Sequence, residues 1–133
     1  MGIILDRDTS KKLEYRLDEY SKYGASLYYL FEQKRVRIND LENLFFSKDD
    51  DKSCFAYNNI IRHITMNDLK DSYNKYSNIY PNSSNYSKET YKDELNKVCT
   101  KKIIDEVLAS KGNHIDKIYV NTYNYLLSNY NIK

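Results

Sequence analysis

The chain has 133 residues, with 21 Lys and Arg against 19 Asp and Glu and a formal net charge of +2. That length is one domain's worth, 1–133, and it can bury a core without disulfides or metal. An even balance of charge excludes a nonspecific nucleic-acid coat and an acidic nucleic-acid mimic.

Cys54 and Cys99 stand far apart, which points to a reducing compartment, and the opening MGIILDRDTS has too short an apolar run for a signal peptide or a membrane span. A cytoplasmic protein is therefore expected. Met1-Gly2 would suit myristoylation, but Asp6 stands where that motif wants Ser or Thr. Enrichment in Asn, Lys, Tyr and Ile reflects A/T-rich codons, as in a low-GC bacterium, its phage or plasmid, or certain parasites and large viruses.

The spacing predicts a first helix from about Thr9 to Lys34. Leu13, Leu17, Tyr20, Gly24, Leu27 and Phe31 form its seam, in which Gly24 admits a close neighbour. Tyr15, Lys22 and Tyr29, seven apart, face away from it. Surplus to the seam, and with the composition of an interface hot spot, they are candidate partner-binding residues. The far side covered by the C-terminal helix is the competing reading.

A short helix follows from Ile38 to Phe46, then the acidic break Asp49-Asp50-Asp51, then a segment with Cys54, Tyr57, Ile61 and Ile64 on one face. Thr65 with Asp68 makes a capping box that starts a new helix, with Ile64 and Leu69 as its hydrophobic staple. Met66, Leu69, Tyr73, Tyr76 and Tyr80 share its packed face, and Pro81 ends it. A polar Asn/Ser loop at about 81–87 comes next, where the formal glycosylation sequons at Asn82 and Asn85 fall. Ser87 caps a helix from Lys88 to Lys111, with Tyr86 and Tyr91 as a second staple. Tyr91, Leu95, Val98, Cys99, Ile103 and Val107 face one way and Ile104 and Leu108 another. Gly112 ends that helix in the usual glycine position, and Asn113 with Asp116 caps the last, about Asn113 to Asn129.

This last helix is apolar nearly all round, so it is either central or shared, and Tyr123 and Leu127 are candidate contacts to a partner or to a second copy in a homodimer. Alternation from Ile118 to Tyr125 keeps a strand as the minor alternative. The fold class is all-α, a single bundle of five or six helices.

Chemistry-bearing patterns are sparse. Cys54, His63, Cys99 and His114 have no compact zinc spacing, and the Asp49, Asp51, Ser53 series lacks the Gly and Glu of a calcium loop. No metal or cofactor is expected. A Cys99 nucleophile would lie on an apolar face, and the three glycines form no phosphate loop. Lys34, Arg35 and Arg37, with Arg62 and Lys70, suit phosphate contacts in a helix-turn-helix-like arrangement, although cations also suit a helix C-terminus. The leading expectation is a non-catalytic helical module that binds a host or cellular protein, such as a phage or mobile-element inhibitor or adaptor. A small DNA- or RNA-binding regulator is the alternative, an enzyme the third.

Overall fold

The computed structural model describes residues 7–77 and 87–128. Their order is α1 (Arg7–Tyr20), a 3-10 turn (Ser21–Tyr23), α2 (Gly24–Glu32), α3 (Ile38–Phe46), α4 (Asp50–Ile60), α5 (Met66–Tyr76), α6 (Lys88–Lys111) and α7 (Lys117–Leu127), with further 3-10 turns after α4 and α6. Because α1 and α2 form one interrupted rod, these segments make an all-α bundle of six rods. No strand occurs among the described residues, so the Ile118–Tyr125 alternation belongs to α7. The loop expected at about 81–87, with Tyr80 and Tyr86, lies outside the described residues up to Ser87.

The expected continuous helix from Thr9 to Lys34 is broken at Ser21–Tyr23 because α6 comes too close for an unbroken ladder. A Cβ on Gly24 would stand 2.1 Å from the Asn96 carbonyl oxygen and 2.3 Å from Thr100 Oγ1, so only glycine fits this crossing. The break leaves the buried Ala25 N–H to Asn96 Oδ1, at 2.9 Å. Asn96 Nδ2 in turn donates to the Tyr73 hydroxyl at 3.0 Å. One buried amide thus ties α2, α5 and α6 together and leaves none of its groups costly and unpaired.

The centre of the bundle belongs to α6. It packs on α2, α3 and α5, and buries Leu95, Asn96, Cys99, Thr100, Ile103, Ile104 and Val107. Ile104 is core, and Val98, expected in the core, is only half-buried. The last helix packs chiefly on α1 and leaves Ile118 and Tyr125 exposed. Gly112 has φ −51°, an ordinary right-handed value, and opens a 3-10 turn. The cap of α7 is Asp116, whose carboxylate accepts from the Ile118 N–H at 2.8 Å, so the helix starts at Lys117 rather than Asn113.

Local signals elsewhere act as expected. Thr65 and Asp68 exchange capping bonds of 3.0 and 3.1 Å, and Ser87 Oγ accepts from the Thr90 N–H at 3.2 Å. The acidic triplet is different: Asp49 is itself a cap, accepting from the Asp51 N–H, and Asp50 and Asp51 fill the first turn of α4, where the helix dipole favours carboxylates. Starting there, α4 buries Ser53, Ala56 and Ile60, while Cys54, expected on the apolar face, is exposed.

A smaller core between α2, α5 and α6 accounts for much of the tyrosine. Tyr76 and Cys99 are buried in it, with Tyr28, Tyr29 and Tyr73 packed against them. The Tyr76 hydroxyl donates to the Glu32 carboxylate, which also receives Lys75 at 3.5 Å. The phenols bury ring area and keep a polar tip at the edge.

Candidate protein-binding groove

Arg16 is the anchor of the groove between α1 and α4. It is 2% exposed, yet its guanidinium donates to the Phe45 carbonyl at 3.0 Å, the Ser47 carbonyl at 2.7 Å and Asp50 Oδ1 at 3.1 Å. The end of α3 leaves carbonyls without helical partners, and a buried cation satisfies them while its charge is matched at the start of α4. The Tyr123 hydroxyl also donates to the Phe45 carbonyl. Lys12 reaches the same Asp50 at 3.3 Å and the Lys48 carbonyl at 3.3 Å.

Above this frame lies a groove of about 520 Å³. Tyr20 forms part of its floor, stacking edge-on against Phe45 with centroids 5.8 Å apart and tilted against Tyr57 at 5.7 Å. Its hydroxyl lies 3.4 Å from Ser53 Oγ, which donates to the Leu44 carbonyl at 2.8 Å. Burial raises the Tyr20 pKa, so the phenol stays neutral. The mouth carries Tyr15, 61% exposed, with Glu19, Asn58 and the exposed thiol of Cys54. Asn58 Nδ2 lies 3.7 Å from that sulfur. Lys12 and Arg16 balance Glu19 and Asp50 in the lining, so the groove is aromatic and near neutral, suited to receiving a partner's apolar side chain with hydroxyls and an amide at the edge.

The structure distributes the five expected partner-binding residues over different surroundings. Tyr15 stands on the groove. Lys22 lies exposed in the 3-10 turn, 3.5 Å from Glu19. Tyr29 is half-buried on α2, edge-on to Tyr76 with centroids 6.4 Å apart and Lys75 over its ring at 5.6 Å. The 3-10 turn ends the seven-residue register that aligned these three, and α5, not the C-terminal helix, covers Tyr29. Tyr123 and Leu127 are corrected outright: at 0% and 8% exposure they are core, because α7 turns this side onto α1 and the end of α3. Burial holds the Tyr123 pKa above the ordinary value, against the lowering effect of the nearby Arg16.

Of the basic run at the end of α2, the Arg35 side chain is committed to the fold, while Lys34 and Arg37 are bonded through their backbones with their side chains exposed. Lys34 has φ 60°, and the bonds Lys34 N–H to Phe31 O and Arg35 N–H to Leu30 O close a Schellman turn around it. Arg35 grips Asp68 with two bonds, 2.9 and 3.3 Å, and holds that carboxyl below its usual pKa. Val36 enters the core, and the Arg37 N–H donates to Asp40 at 3.1 Å. Arg62 and Lys70 are exposed on separate elements. Cys99 is fully buried and its thiol is pushed up to about 12, which makes it inert as a nucleophile.

Phe55, 69% exposed, was assigned no role by the sequence pattern, and Met66, expected on the packed face of α5, is 81% exposed because the buried side of that helix runs through Asp68, Ser72 and Tyr76. Phe55 shows itself only once the Asp49 cap sets the phase of α4 and leaves it opposite Ser53 and Ala56. Among the described residues, no three His, Cys, Asp or Glu side chains converge as a metal site, and no helix is long and apolar enough to cross a membrane. Compared with protein families, curated proteins and solved structures, the chain finds no match.

Proposed function

We propose that this chain is a non-catalytic protein-binding module that engages a host or cellular protein through the α1/α4 groove. The observation that carries this reading is Tyr15: 61% exposed at the mouth of an aromatic groove, in a helix whose core contacts are already met by Leu13, Arg16 and Leu17. A rigid ring at a concave, nearly neutral surface is the composition of a binding hot spot. The small size and the enrichment in Asn, Lys, Tyr and Ile, residues with A/T-rich codons, support an inhibitor or adaptor carried by a phage or mobile element, acting in its host's cytoplasm. Self-association through α7 would use Ile118 and Tyr125, the large side chains that helix leaves exposed.

Cys54 supplies the test, since it lines the groove while Cys99 is buried. Benzophenone maleimide attached to Cys54 should, on irradiation in cells of the source organism, cross-link one discrete protein. The same probe on a C54S/D93C protein, with its label on an exposed part of α6, should not. Absence of a discrete adduct, or the same adduct from both positions, would count against the groove.

A further inference from the structure

The buried face of α5 runs its full length through Asp68, Ser72 and Tyr76, at 6%, 0% and 3% exposure, and leaves apolar side chains uncovered beside it: Met66 is 81% exposed and Leu69 half-buried. Opposite them the first turns of α6 supply Lys88, Tyr91 and Lys92, closing a second groove of about 520 Å³ that shares no residue with the first. Its charge is of one sign. Lys70, Lys88 and Lys92 line it, and no carboxylate does among the described residues.

We propose that this α5/α6 groove is a docking site for an acidic amphipathic segment of a partner protein. Met66 and Leu69 offer an apolar floor of the kind that receives the i, i+3 and i+4 anchors of a helix, and the lysines flank it where such a helix would carry Asp or Glu. The rings serve as walls. Lys92 Nζ sits 5.0 Å from the Tyr73 centroid, covering one face of the ring, and the Tyr73 hydroxyl accepts from Asn96. The Tyr91 hydroxyl donates to the Ser77 carbonyl at 2.9 Å. Rings pinned in this way do not swing out as stacking platforms for unpaired bases, and a phosphate backbone would leave Met66 and Leu69 facing a charged strand. A protein segment therefore fits where a nucleic-acid strand does not.

The probe is a fluorescein-labelled amphipathic helical peptide with leucine anchors at i, i+3, i+4 and i+7 and glutamates elsewhere, titrated with the full chain in a polarisation assay. A peptide with lysines for the glutamates and a labelled oligothymidylate serve as comparisons. The acidic peptide should bind and the basic one should not, with affinity falling as salt rises. The triple variant K70Q/K88Q/K92Q should weaken binding about tenfold, the loss expected for three exposed ion pairs together. Met66→Asp should abolish binding while circular dichroism melts of both variants stay at the wild-type temperature. Equal binding of the two peptides, or none, would overturn the proposal. So would oligothymidylate binding lost in the triple variant, which assigns the groove to nucleic acid, or a concentration-dependent dimer lost in Met66→Asp, which assigns it to a second copy.

Discussion

Replacing Gly24 by Ala reverses the effect that helix propensity alone assigns to it. In an ordinary helical position the change would stabilise by about 1 kcal/mol. Here the new methyl would stand 2.1 Å from a backbone oxygen of α6 and 2.3 Å from Thr100 Oγ1. Neither atom yields cheaply: Thr100 Oγ1 donates to that same Asn96 oxygen at 2.8 Å, and the Asn96 side chain accepts the Ala25 N–H. Relief requires α2 and α6 to part by about 1 Å or more, which overpacking data put at about 1 to 3 kcal/mol. Parting also strains the Ala25 to Asn96 bond, whose loss would leave a buried N–H unpaired at about 1 to 3 kcal/mol. Set against the propensity gain, the net is a loss of about 1 to 5 kcal/mol, or a melting temperature lower by about 3 to 20 °C at this size. Hydrogen exchange at the Ala25 amide should quicken in parallel. Gly112→Ala is the control: it has an ordinary helical φ and no atom within 4 Å of the new carbon, so it should be neutral or stabilising by up to about 1 kcal/mol. A Gly24→Ala protein that melts at or above the wild-type temperature would refute the close crossing and the reason given for the break in the α1–α2 rod.

Tyr15→Ala should leave the stability measured by urea unfolding within about 0.5 kcal/mol of wild type, as for most surface changes, and abolish the Cys54 cross-link. Tyr123→Ala, in contrast, should destabilise by about 3 to 5 kcal/mol as a core truncation, measured by urea unfolding. Lys34→Gly should stabilise by about 1 kcal/mol, because a left-handed residue with a side chain becomes one without, and unchanged urea unfolding would contradict the Schellman turn. The Arg35–Asp68 pair sets a pH dependence: Asp68 is held below its ordinary 3.8, so the pair's stabilisation is complete above the usual carboxylate range and lost as pH falls through the lower folded-state value. The gap in melting temperature between wild type and Arg35→Gln should therefore close in that acid window, and a gap constant down to pH 2 would show that the carboxylate is not involved.

Sequence alone determined what depends on a few neighbouring residues. The capping box at Thr65 and Asp68, the Ser87 cap and the α3 limits Ile38–Phe46 are decided within one helical turn, by side chains that reach their own backbone. The all-α class follows from the same short-range periodicity. Gly24 as a point of close approach was also legible, since a glycine in an apolar seam costs propensity that something must offset.

Tertiary structure alone decided which helix is central and which apolar residues remain uncovered. Apolar residues all round α7 suggested a helix either central or shared with a partner, but the centre went to α6, because Asn96 finds partners on α2 and α5 and Thr100 on its own helix, and so both could be buried beside Leu95 and Ile103. A side chain's polarity does not tell whether a hydrogen-bond partner awaits it from a distant segment, as Asn96 meets Ala25, 71 residues away. The partner site divided for a related reason. A seven-residue spacing keeps Tyr15, Lys22 and Tyr29 in line only while the helix is unbroken, and the break arises from a contact with α6 that no local pattern encodes. Tyr123 was drawn into the core, Tyr29 beneath α5, and Tyr15 was left at the mouth of a groove whose other wall, α4, comes from a segment more than thirty residues on in the chain.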